Sequence, residues 1–164
     1  MSNWKKLSKL QTSESDFVRA AIFSPDEKLL VTGAWDTTHD GIEAFDARTG
    51  RVLWKADGDQ EGNIVFSPNG RFVAASTTGG IVLLRAKDGK LIRQIGKSNG
   101  GEIRFLSNQV LEQDSEKTRL TFRVADGKLL KSQLIAGLDS EYSSPDGSVR
   151  FRVVGEEKWV RFAN

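Results

Sequence analysis

The sequence predicts an all-β protein made of one small four-stranded unit used four times. Three observations predict it: two turn signals recur in step along the 164 residues, short β-branched and aromatic runs lie between them, and no apolar pattern of helical period survives from one turn to the next.

The first turn signal is Phe23-Ser24-Pro25-Asp26. It returns as Phe66-Ser67-Pro68-Asn69, more loosely as Phe105-Leu106-Ser107-Asn108, and again as Ser143-Ser144-Pro145-Asp146-Gly147. Pro25, Pro68, Ser107 and Pro145 are 43, 39 and 38 residues apart. The second signal keeps the same period. Asp46-Ala47-Arg48-Thr49-Gly50 is matched by Arg85-Ala86-Lys87-Asp88-Gly89 and by Val124-Ala125-Asp126-Gly127, with the glycines 39 and 38 apart.

In the first unit, strands are expected near Phe17–Phe23, Lys28–Gly33, Gly41–Phe45 and Arg51–Lys55. Four strands in about 40 residues is the length of one β-propeller blade. The expected fold is therefore a β-propeller of four four-stranded blades per chain, forming a single domain. The blades are expected at about residues 17–56, 62–96, 101–136 and 139–164, the last joined by residues 4–10.

The Phe-Ser-Pro-Asp/Asn turns resemble those of WD-repeat and related propellers, over nearly the whole chain. The run Asp46–Trp54 is similar to repeats of the quinoprotein-type propellers. The WD pattern is not followed throughout. Phe45-Asp46 stands where a Trp-Asp pair would close the third strand, the other units have no such pair, and the Gly-His pair is missing. Trp35-Asp36 falls after the second strand and is not that signature.

In the fourth unit, strands are expected near Asp139–Ser144, Ser148–Val153 and Lys158–Ala163. An outer strand is then wanting. Trp4–Leu10 resembles the outer strand Lys90–Ile95, so pairing it there would cover an exposed sheet edge. Closure within one chain gives a four-bladed monomer. Closure between two chains gives an eight-bladed homodimeric ring, preferred here because four blades crowd the inner strands. A larger heteromeric propeller is the third arrangement.

In such a meander, the loops between strands two and three, and those between blades, leave from one end. They vary more than the regular turns at the other end, and variable loops on a rigid scaffold are where binding usually sits. On them fall Asp36, Asp40, Asp57, Asp59, Asp114, Glu116, Asp139, Glu141, Glu156 and Glu157, with Glu14, Asp16, Glu61 and Glu102 beside them. Only Lys97, Lys117 and Lys158 oppose these 14 acids, a net of −11, while the rest of the chain carries +13 and the whole +2. Loops of one sign attract the other. They equally suit simple solvation, and the basic outer strands equally suit the blunting of edges.

Other motifs weigh less. His39 is the only histidine, and with no cysteine an ordinary zinc site would need several carboxylates. It reads first as a loop residue. Trp35 beside it is either a partner anchor or a blade cap. Asp57-Gly58-Asp59-Gln60-Glu61 lacks the ligand order and flanking helices of an EF-hand and reads as a turn. Thr77-Thr78-Gly79-Gly80 and Ser98-Asn99-Gly100-Gly101 lack the lysine and helix of a phosphate cradle. Glu102 and Arg104 alternate with Ile103 and Phe105 on an inner strand, either toward the central channel or toward each other.

The expected function is non-catalytic: a protein-interaction module presenting an acidic loop face to a basic protein partner, and forming a homodimer in the two-chain ring. Trp35, Asp36, His39, Asp40 and the loop carboxylates are the candidate binding residues. No catalytic residue, metal ligand, cofactor, nucleic-acid partner or membrane contact is expected. A net charge of +2 argues against nucleic acid, and the absence of any apolar run near 20 residues against a spanning helix. Met1–Leu10 lacks the apolar stretch of a signal peptide, so a cytoplasmic location is expected. The alternatives are a metal-dependent, lactonase-like propeller hydrolase and a small-ligand binder at the channel mouth.

Overall fold

The structure, a computed structural model, describes residues 18–34, 41–57, 60–97, 101–115, 117–135, 140–143 and 150–153. Blade 1 is the antiparallel meander β1 (Val18–Phe23), β2 (Leu29–Ala34), β3 (Gly41–Asp46) and β4 (Val52–Asp57). Blade 2 is β5 (Gln60–Phe66), β6 (Phe72–Thr77), β7 (Gly80–Arg85) and β8 (Leu91–Ile95). Blade 3 is β9 (Glu102–Phe105), β10 (Val110–Asp114), β11 (Thr118–Arg123) and β12 (Leu129–Leu134). A two-stranded antiparallel sheet, β13 (Ser140–Ser143) with β14 (Arg150–Val153), follows. The three sheets bear out the all-β reading and its repeated four-stranded unit. Lys158–Ala163 and Trp4–Leu10 lie outside the described residues.

The recurring turns owe their shape to particular side chains. Ser24 Oγ accepts from Leu29 N–H (2.9 Å) and donates to Asp26 Oδ1 (2.7 Å), so one hydroxyl ties both ends of the first turn. Ser67 and Asn69 repeat this in blade 2, Phe72 N–H donating to Ser67 Oγ (3.0 Å). In the second turn type, Asp46 accepts from the N–H groups of Arg48 and Thr49. Blades 2 and 3 replace that cap with the ion pairs Arg85–Asp88 and Arg123–Asp126. Gly50, Gly89 and Gly127 close these turns with φ near +70° (72°, 68° and 73°), where a side chain is strained.

A bulge follows each second turn at the same place. Val52 pairs with Phe45 and Trp54 with Ala44, which leaves Leu53 without a partner in the ladder. The same step leaves out Ile92 in blade 2 and Leu130 in blade 3. These three apolar residues sit exposed on the outer strands.

The inner strands β1, β5 and β9 lie side by side and set the blades face to face. Between blades 1 and 2 the buried residues include Val31, Ile42, Trp54, Ile64, Phe66 and Val73. Between blades 2 and 3 they include Ile81, Leu83, Ile95, Ile103, Leu111 and Phe122. Burial of one such side chain is worth about 1.5–3 kcal/mol, so these two seams are the core.

Candidate functional site

Each seam is also latched by polar groups. Trp54 Nε1–H donates to the carbonyl of Ala86 in the next blade (2.8 Å), and its ring lies over Gly89. Arg93 takes the matching place in blade 2: its Nη2 donates to the Ala125 carbonyl (2.5 Å), and its stem passes Gly127. Nearer the axis, Asn63 spans from β5 to β9. Its Nδ2 donates to the Ile103 carbonyl and its Oδ1 accepts from Ile103 N–H, both at 2.8 Å. At the regular-turn end, Asn108 Oδ1 accepts from Asn69 N–H (2.9 Å). The corresponding space between blades 1 and 2 is an open groove of 320 Å³ lined by Ser24, Pro25, Asp26, Pro68, Asn69 and Lys87 among others.

At the loop end of blades 1 to 3, Asp57 and Asp114 are the candidates that the structure describes. Asp57 closes β4 opposite Gly41 and is exposed. Lys97, Glu102 and Lys117 are exposed as well. Thr77 and Gly80 flank a two-residue turn there, with Thr77 Oγ1 donating to the Gly80 carbonyl (2.9 Å).

Asp114, at the end of β10, is not a free loop carboxylate. Arg119 holds it at both oxygens, Nε to Oδ1 and Nη2 to Oδ2 each 2.7 Å, and Arg104 Nη1 reaches Oδ2 at 3.2 Å. The Arg119 hydrogen bonds, with the charges of Arg104 and Arg119, keep its pKa below the usual carboxylate range, and the Arg119 guanidinium is raised in turn. Arg104 pairs with Glu112 rather than with Glu102. The two arginines stand on strands, and counting loop residues alone had left them out of this end's charge.

Glu141 lies in β13 opposite Arg152 of β14. Trp35, Asp36, His39, Asp40, Asp59, Glu116, Asp139, Glu156 and Glu157 lie outside the described residues. Sequence reasoning also missed a buried carboxylate: Glu43, in the middle of β3, meets Lys55 Nζ at 2.7 Å. Among the described residues no three His, Asp or Glu side chains gather as a metal-holding group.

Sheets of four antiparallel strands, set side by side through their inner strands, define a β-propeller. Residues 4–38 match the family of the WD domain, G-beta repeat. The computationally designed Ika4 protein has a similar structure, with TM-score 0.68 and 19% identity over 98% of each chain. The designed Ika8 protein matches with TM-score 0.64 and 17% identity, over 95% of this chain and 48% of that one. BamB from Moraxella catarrhalis matches with TM-score 0.61 and 16% identity, over 84% of this chain and 44% of that one. The chain thus spans nearly all of the first relative and about half of the other two. No curated protein matches its sequence. These matches show the β-propeller fold, with one stretch of WD type at residues 4–38.

Proposed function

We propose that the chain is a non-catalytic protein-interaction module, and that its variable-loop end takes a basic segment of a protein partner. What supports this is the sorting of charge in the sequence: 14 acids against three lysines fall on or beside the segments expected at one end, before Arg104 and Arg119 are counted, in a chain whose net charge is +2. The exposed carboxylate of Asp57 fits it, and the ion pair at Asp114 narrows it to the remaining acids. The WD-type repeat supports the class, since repeat scaffolds of this kind present loops to other proteins. We infer further that two chains form one eight-bladed ring. The chain's span of 48% of Ika8 and 44% of BamB supports that reading. The start of the repeat match at residue 4 supports a closing strand there, in either arrangement.

Binding of a lysine-rich peptide, followed by fluorescence anisotropy, tests the loop face. Affinity is expected to fall steeply with added salt, and about tenfold or more in a variant carrying both Asp57→Lys and Asp59→Lys. Affinity unmoved by salt and by those reversals would remove the proposal.

A further inference from the structure

The three blades are in register, so equivalent positions can be compared strand by strand. On the face that blade 1 turns to blade 2, one cross-strand row reads Ile22, Val31, Ala44, Trp54. The same row of blade 2, facing blade 3, reads Val65, Ala74, Leu83, Arg93. In blade 3 it reads Arg104, Glu112, Thr121, Lys131. The adjoining row changes likewise, from Ile42 and Ile81 to Arg119. The opposite face of blade 3 keeps the usual apolar packing, with Ile103, Leu111 and Phe122 against blade 2. The change is therefore confined to one face.

That face is an organised ion network. Glu112 is paired with Arg104, Asp114 is gripped by Arg119, and Arg119 Nε stands 3.5 Å from Glu112 Oε1. Both carboxylates are largely covered, at 10% and 19% exposure, while the arginines keep 40% and 36%. An apolar occupant would strip water from both guanidinium groups and supply no hydrogen bonds in return, at a cost of several kcal/mol per ion. A charged or polar occupant fits this face better.

The chain provides one. The β13–β14 ladder pairs Glu141 with Arg152 and Ser143 with Arg150. In the repeat these four take the positions that in blade 3 are Ile103, Gln113, Phe105 and Leu111, which pack on blade 2. By repeat position, then, charged and polar residues replace apolar ones in the hairpin as well as on blade 3. We propose that the hairpin Ser140–Val153 seats on the charged face of blade 3 through an ionic seam, and that salt releases the fourth blade while blades 1 to 3 stay packed. The inference holds for a one-chain or a two-chain ring, and does not depend on what the loops bind.

Hydrogen exchange read by mass spectrometry on the full chain tests it, in low salt and in about 1 M NaCl at one pH. Peptides from 140–153 are expected to exchange about tenfold faster in high salt, and peptides from β6 and β7 less than about twofold faster. Equal hairpin rates in both salts, or acceleration of β6 and β7 together with the hairpin, would overturn the proposal. The double variant Arg104→Val, Glu112→Ala gives this face the residues blade 2 has there. Its hairpin is expected to lose the salt dependence, and retention of the full wild-type dependence would contradict the seam. If that variant does not fold, the wild-type comparison decides alone.

Discussion

Glycine 89 shows how narrowly some single positions are constrained. Its φ of +68° already disfavours a side chain, and an added Cβ would stand 2.5 Å from Trp54 Cε3 of the neighbouring blade. Gly70 has the same φ, but its nearest neighbour is Pro25 Cδ at 3.5 Å. Glu27 holds the equivalent place in blade 1 with φ 58°, so a side chain is tolerated there. Gly70→Ala is therefore expected to cost about 1 kcal/mol and Gly89→Ala about 2–4 kcal/mol, read from urea denaturation midpoints. Equal losses would mean that the Trp54 latch does not constrain the seam. The turn at Gly89 was legible in the sequence, because a closing glycine recurs at a fixed period. The Trp54 ring above it was not, because no local signal says which residue of one blade reaches the next.

At the scale of the strand and blade, the turn chemistry and strand order were readable for a physical reason. Ser-Pro-Asp and Asp-Gly turns supply their own hydrogen bonds, so they act wherever they occur. The latches Asn63 and Arg93 were not readable, since an asparagine in β5 and an arginine in β8 look like ordinary strand residues until the next blade is in place. The loop acids were legible as a pattern of charge. The pairing of Asp114 was not, because Arg104 and Arg119 come from neighbouring strands and meet it only through the register. That pairing has a pH signature. Its folded pKa lies below the unfolded value, so its stabilisation is present above the ordinary carboxylate range of about 4 and is lost as pH falls through the depressed value. The denaturation midpoint of the wild type is expected to drop more between about pH 5 and about pH 2.5 than that of Asp114→Asn. Part of the drop should remain in the variant, because hydrogen bonds lower the pKa of Asp26, Asp46 and Asp88 in the same direction. Identical profiles would show that the Arg119 pair adds nothing to stability.

For the whole molecule, apolar seams join blades 1, 2 and 3, and the other face of blade 3 is charged. If the proposed ionic seam forms, each chain has a place between blade 3 and the hairpin that can open without loss of the apolar seams. The chain covers 48% of the designed Ika8 protein and 44% of BamB. Solution mass by light scattering on a size-exclusion column tests the proposed architecture most directly. The expected value is twice the 18.1 kDa of one chain, with the eight-bladed ring shared by two copies. A single species of one chain's mass, unchanged as concentration rises, would contradict it.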